Sequence, residues 1–210
     1  MRPLARGYLH QVAFYIAIVA CALLLAKSHG TQALICNFIY SVSLVGLFGI
    51  SSLYHCREWP RKNYLLLRRV DHAAIFALIA GTSTPLCLLG IKGSLGTSLL
   101  VMIWGVAILG IVVVVFWTQG PKWIKALFYV CLGWLAVPLY PEIKSALGSL
   151  NIQLLLAGGV VYTIGALVYA IRRPDPWPRF FGYHEIFHLL VVIASGLHFY
   201  VIYSLTVSFH

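Results

Sequence analysis

Acidic side chains are scarce in this chain. Its 210 residues hold five Asp and Glu against fifteen Lys and Arg, and the four types together make up only 10%. A soluble domain of this length carries about a quarter charged residues, so there is too little charge here to cover a water-facing surface. Paired cysteines are also missing. Cys21, Cys36, Cys87 and Cys131 lie in apolar runs and Cys56 in a basic loop, at no spacing that marks a metal or redox motif. They read as small buried apolar residues, with no disulfide expected. No period-2 alternation appears, which argues against a membrane β-barrel. No long linker, low-complexity tail or internal repeat sets off a second domain.

What remains is apolar: 61% of the residues are hydrophobic, and the mean hydropathy is +0.91. A helix needs roughly 20 residues to cross the hydrocarbon of a bilayer. Seven runs qualify: Leu9 to Ala26, Ala33 to Tyr54, Val70 to Leu89, Leu95 to Trp117, Trp123 to Tyr140, Ile152 to Ile171 and His184 to Phe209. The fifth, with Pro138, is marginal. Interior Gly and Ser suit helix packing in lipid. The expected fold is all-α, a single seven-helix transmembrane domain over residues 1–210. Arg2 and Arg6 ahead of the first run imitate a signal peptide, and Ile18-Val19-Ala20-Cys21 imitates a lipoprotein cleavage box. Cutting there would discard half a transmembrane helix, so residue 1 onward is expected to be the mature protein.

Basic residues orient the bundle. Arg2 and Arg6, then Arg57, Arg61, Lys62, Arg68 and Arg69, then Lys122 and Lys125, then Arg172, Arg173 and Arg179 fall on one side, twelve in all. Lys27, Lys92 and Lys144 make three on the other. The positive-inside rule places the twelve in the cytoplasm, with the N-terminus inside and the C-terminus outside. The net charge of +10 then belongs on an anionic inner leaflet, and no nucleic-acid partner is needed to explain it.

Ionisable residues inside a membrane are costly and point to function. On this topology His55 ends the second helix, with Ser51 on the same face one turn deeper, about 6 Å along the axis. Asp71 opens the third helix, and His184 and His188 open the seventh on one face. Three helices deliver Ser, His, Asp, His and His to one layer. Neutral imidazoles suit a borderline cation such as zinc, and three protein ligands leave a fourth position open, the pattern of a catalytic site. His55, His184 and His188 are the candidate metal ligands. Asp71 sits near the open position to hold or deprotonate water, and Ser51 can hydrogen-bond that water or a developing oxyanion.

Each residue also has an ordinary role open to it. The histidine pair could snorkel to the headgroups, Asp71 could pair with Arg68 or Arg69 or favour a helix N-terminus, and Ser51 could be packing glue. These roles explain the residues singly but not their common depth. Glu185, about 100° from His184 on the helical wheel, is expected at the interface. His72 faces elsewhere, His198 lies nearly three turns deeper than His188, and His10, His29 and His210 lie at ends or loops.

The stretches SSLYH (51–55), VDHAAIFALIAGTSTP (70–85) and GYHEIFHLLVVIASGLHF (182–199), with YTIGALVYA and RPDPWPRFFGYHEIFH, closely resemble the hemolysin III family. That family is the compact bacterial branch of the progestin and adipoQ receptor proteins, within a wider group of membrane hydrolases that includes alkaline ceramidases. The resemblance spans nearly the whole chain. It implies a seven-helix fold in the bacterial inner membrane, a zinc ion on His55, His184 and His188, a water-holding Asp71, and Ser51 as the family's serine. The receptor branch has a long cytosolic N-terminal segment, whereas fewer than ten residues precede the first helix here, so a hormone-receptor role is not implied. Bacterial members often carry an acidic residue before a Thr-His near their start; here RGYLHQ stands there, with His10 the candidate counterpart. The family's name is no argument for pore formation.

The expected function is hydrolysis of an amide or ester linkage in a membrane lipid, because a site one turn below the cytoplasmic surface meets acyl-linkage carbonyls. The alternative is a non-enzymatic sensor or regulator of membrane lipid homeostasis with a structural zinc. A channel would string polar residues through the full thickness, retinal would require a lysine that the last helix lacks, and haem would want facing histidines nearer the midplane.

Overall fold

A computed structural model describes residues 6–91, 93–117 and 120–209. Arg2, Lys92 and His210, named above, lie outside the described residues. The chain forms α1 (Tyr8–Ala26), α2 (Gly30–Cys56), α3 (Arg61–Pro85), α4 (Ser94–Phe116), α5 (Lys122–Gly133), α6 (Tyr140–Ile171) and α7 (Tyr183–Ser208). Among the described residues there is no strand, only one isolated bridge between Trp177 and Phe181.

Prolines and a glycine punctuate these elements. Pro60 and Pro121 immediately precede α3 and α5, and α6 carries a proline in its first turn; there a missing N–H costs nothing, because the first turn has no intrahelical acceptor for it. Pro85 lies inside the apolar part of α3, which gives way to a wider π-helical turn over Leu86–Gly90. Gly148 adopts φ 77 and ψ 167 within α6. A side chain would resist that conformation, and it divides the helix into two arms.

Among the described residues, six stretches are long and apolar enough to cross a membrane, one of them the 50-residue stretch Lys122–Ile171 that holds both α5 and α6. The outer surface agrees. Val12, Ile16, Val19 and Leu23 of α1 are 60–63% exposed, and Val101 and Leu109 of α4 are 68% and 63% exposed. Such a surface is stable only against lipid. The chain is a multi-pass membrane protein.

Consecutive helices pack side by side from α1 to α7, and α7 returns to α1, closing a ring; α3 also touches α5 and α7. Where lipid tails are as apolar as the helices, association relies on close approach and polar contacts. A methyl group at Gly81 would strike the side chain of Ser43, and one at Gly110 the ring of Phe76. Buried Asn37 donates from Nδ2 to Thr206 Oγ1 at 2.9 Å, tying α2 to α7. Trp104 Nε1 donates to Thr84 Oγ1 at 3.1 Å, tying α4 to α3.

Three boundaries differ from the sequence reading. α3 begins at Arg61 rather than Val70, so Arg68 and Arg69 are helical and Asp71 lies in the third turn instead of at the start. Arg, Lys and Leu are good helix formers; apolarity marks where a helix enters lipid, not where it begins. The fifth run, expected over Trp123 to Tyr140, is α-helical only to Gly133, followed by a turn and a 3-10 segment at Val137–Leu139 that contains Pro138. α6 then starts ahead of Ile152, its first arm ending at the Gly148 break.

Candidate metal centre

The last turn of α2 and the first two turns of α7 meet at one end of the bundle and bring three imidazoles together. His184 Nε2 lies 3.3 Å from His55 Nε2. Ring centroids are 4.8 Å apart for His55 and His184, 5.1 Å for His55 and His188, and 4.5 Å for His184 and His188. One nitrogen from each ring falls within 4.8 Å of the other two, so the trio could hold a metal ion.

The donor set fits such an ion. Zinc–imidazole bonds of about 2.0–2.1 Å in a tetrahedron place two ligand nitrogens about 3.3 Å apart, the separation between His55 and His184. An N–H···N hydrogen bond would span the same distance, but it leaves the third ring unexplained. His188 is 1% exposed and its Nδ1 is buried without a hydrogen-bond partner among the described residues. A buried orphan nitrogen is costly, and a cation shared by the three imidazoles would relieve that cost.

Asp71 faces this group from α3, its Oδ2 4.0 Å from His55 Nε2. Ser51 is buried one turn below His55 and lines the same cavity as Asp71. All five residues singled out in the sequence therefore share one corner of the bundle. Cys56, expected in a loop, is the last residue of α2, and all five cysteines are free thiols.

Glu185 corrects the sequence reading. It is not interfacial but 1% exposed, accepting from Arg6 Nε at 2.9 Å and from the backbone N–H of Gly182 at 2.9 Å. Its carboxylate thus caps α7 and ties down the segment before α1, and wheel geometry could not foresee a partner 179 residues away. His10 is likewise not at a free end. It is 3% exposed and stacks on His188 with centroids 3.8 Å apart and planes 6° apart. Both its ring nitrogens are buried without partners among the described residues. Gly7 explains the approach: at φ 91, a side chain there would meet Cys56 Sγ at 2.6 Å and His55 Cβ at 2.9 Å. The sequence reading met Arg6 only as a basic residue and His10 only as the counterpart of a family histidine, because only the fold brings them and Gly7 to α7.

A cavity of about 460 Å³ leads away from the histidines. Its wall on α3 runs from Arg68 through Asp71, Ile75, Leu78 and Thr82 to Leu86. At 1.5 Å per residue that is about 27 Å, most of the roughly 30 Å hydrocarbon thickness. Tyr129 of α5, Leu155 and Tyr162 of α6, and Phe187 and Val191 of α7 close it. His72 lines it too, its Nδ1 2.7 Å from the Arg68 carbonyl. Deeper, His198 lies at 3.0 Å from the Leu155 carbonyl through Nε2.

Residues 1–199 match the family described as Haemolysin-III related. The chain belongs to that family. It is 34% identical to Hemolysin-3 of Bacillus cereus over 204 residues, covering 95% of this chain and 89% of that protein. It is 31% identical to the Hemolysin-3 homolog of Bacillus subtilis over 202 residues, covering 95% and 92%. More distantly, it is 27% identical over 207 residues to the human Monocyte to macrophage differentiation factor, covering 95% and 82%. The haemolysin-III match takes in His10, His55, Asp71, His184 and His188 together.

Proposed function

We propose that this haemolysin-III-related protein is a zinc-dependent hydrolase of an amide or ester linkage in a membrane lipid, working at the cytoplasmic leaflet of a bacterial inner membrane. The observation that carries the reading is the long, largely apolar cavity that begins at the three histidines and Asp71. A structural metal needs no such space, whereas a single acyl chain does. A volume of about 460 Å³ lies within the ordinary range of ligand pockets.

His55, His184 and His188 would hold the ion at the end of the cavity. Bound there, zinc supplies Lewis-acid polarisation of a carbonyl and makes a water more acidic. Asp71 takes the proton as the water oxygen adds to the carbonyl carbon, and returns it to the amine or alkoxide as the C–N or C–O bond breaks. Ser51, which lines the same cavity, would orient the carboxylate or the water. Arg6 and Glu185 hold the first turn of α7, and so both of its histidines, in place.

The topology belongs to the same proposal: a single seven-helix domain, N-terminus inside and C-terminus outside. The 50-residue stretch Lys122–Ile171 would cross twice, out through α5 and the first arm of α6 and back through the second arm after Gly148. Fifty residues are over twice what one crossing needs. The second reading, a lipid sensor with a structural zinc, has its own support, because the ion would join α2 to α7 across 129 residues. Metal content of the purified protein, measured with mass-spectrometric detection of acyl release from a lipid extract, tests the choice. Stoichiometric zinc with release favours the hydrolase; zinc without release from any lipid class favours the clamp.

A further inference from the structure

The twelve basic residues assigned to one side do not all behave as surface charge. Arg57, Arg61, Lys62, Arg69, Arg172, Arg173 and Arg179 are exposed, as an anionic leaflet would require. Arg6, Arg68 and Lys122 instead line the cavity at the end that holds the histidines, and Lys125 behind them is 3% exposed. Drawing cations inward is costly unless something negative meets them. Among the described residues, the chain's carboxylates do not meet Arg68 or Lys122. Glu185 is committed to Arg6, and Asp71 faces His55. Among the described residues, neither Arg68 nor Lys122 has a carboxylate within ion-pair distance. Lys122 Nζ donates to Tyr183 Oη at 3.2 Å and lies 4.8 Å from the Tyr169 ring centre, contacts that aim the ammonium without neutralising it. Arg6, Arg68 and Lys122 line the same cavity as His72 and His184. The positive field therefore spans the gap between α3 and α7 at the cavity mouth.

We propose that Arg68 and Lys122 form an anion subsite beside the histidines, taking the phosphate of a lipid headgroup while the acyl chain occupies the apolar cavity. The proposal rests on the lipid-hydrolase reading and narrows its substrate to phosphate-bearing lipids. Guanidinium and ammonium groups are the ordinary partners of phosphate. Their place at the mouth matches the place of a headgroup whose chains run inward. A neutral headgroup would leave both cations uncompensated beside Lys125 and His72.

The test uses full-length, zinc-loaded protein in an uncharged detergent. Three probes are titrated by calorimetry: dihexanoyl phosphatidic acid, dihexanoyl glycerol with the same chains and no phosphate, and inorganic phosphate. The phosphate-bearing lipid should bind at least about tenfold more tightly than the neutral one, and more tightly than inorganic phosphate. Arg68→Gln and Lys122→Gln should each reduce that preference severalfold at unchanged zinc content, while neutral-lipid binding persists; Arg68→Lys should restore part of it. Equal binding of the two lipids overturns the subsite but leaves the lipid reading standing. Inorganic phosphate binding as tightly as phosphatidic acid, with no binding of neutral lipid, keeps the anion site and overturns its lipid source. A preference that survives both Gln variants also overturns the assignment.

Discussion

Replacing Arg6 by Ala removes the one side chain among the described residues that meets the Glu185 carboxylate, and the structure sets the size of the loss. Glu185 is 1% exposed and Arg6 21%, so the carboxylate cannot turn to water when its partner goes. Breaking a buried pair by removing one member costs about 3–5 kcal/mol. Glu185 keeps its 2.9 Å bond from the Gly182 N–H, which puts the expected loss near the lower figure, about 3 kcal/mol. Glu185→Gln is milder, about 1–2 kcal/mol, because an amide oxygen still accepts a hydrogen bond and Arg6 has some access to solvent. In the double variant no charge is buried alone, so its loss should fall at least about 1 kcal/mol short of the sum. Thermal unfolding of detergent-solubilised protein, followed by tryptophan fluorescence, reads these values. For a chain of this size about 3 kcal/mol corresponds to roughly 6–12 °C in Tm. If Arg6→Ala melts within about 2 °C of the parent, or if the two losses simply add, the pair does not hold α7 in the way argued.

Other outcomes follow from the site and the topology. His188→Ala should strip most zinc from the purified protein, whereas Asp71→Asn should keep it and lower hydrolysis by ~10²-fold or more; an emptied site in Asp71→Asn would make Asp71 a ligand, and full zinc in both variants would move the metal elsewhere. Gly7→Ala forces a side chain into φ 91 against Cys56 and His55, with an expected cost of about 1–2 kcal/mol or more, seen as a lower melting temperature; an unchanged melt would refute the close approach. A reporter active only in the cytoplasm should be silent when fused after His210, and activity there would show that Lys122–Ile171 does not cross twice.

Much of this was readable from residue order, and the remainder has a common cause. Helical i, i+4 spacing put His184 and His188 on one face, and shared depth brought in His55, Asp71 and Ser51. Those inferences needed only local geometry and the axis of the membrane. Glu185 and His10 defeated the same reasoning because their surroundings come from opposite ends of the chain. A wheel shows what Glu185 turns away from, not that Arg6 waits there. The start of α3 at Arg61 was hidden because charged helix extends past the hydrocarbon. The fifth run, read as one helix, breaks near Gly133 and Pro138 because apolar content records lipid contact and is silent about backbone conformation. Inward-facing Arg68 and Lys122 were counted with the surface for the same reason: a charge tally has no direction.

The closing of the ring by α7 on α1 has a consequence for how the protein is made. His55 leaves the ribosome 129 residues before His184, and Arg6 179 residues before Glu185. At about 5–20 residues per second, the earlier histidine waits roughly 6–26 s for its neighbours. During that time α1 and α2 can already lie together in the bilayer, but the corner between them has no metal-binding capacity and an unanswered arginine. Completion of the centre is therefore tied to insertion of the final helix. A chain that stalls or is clipped before Tyr183 carries one histidine of the three, so a metal held by the full trio would mark chains whose last helix has docked.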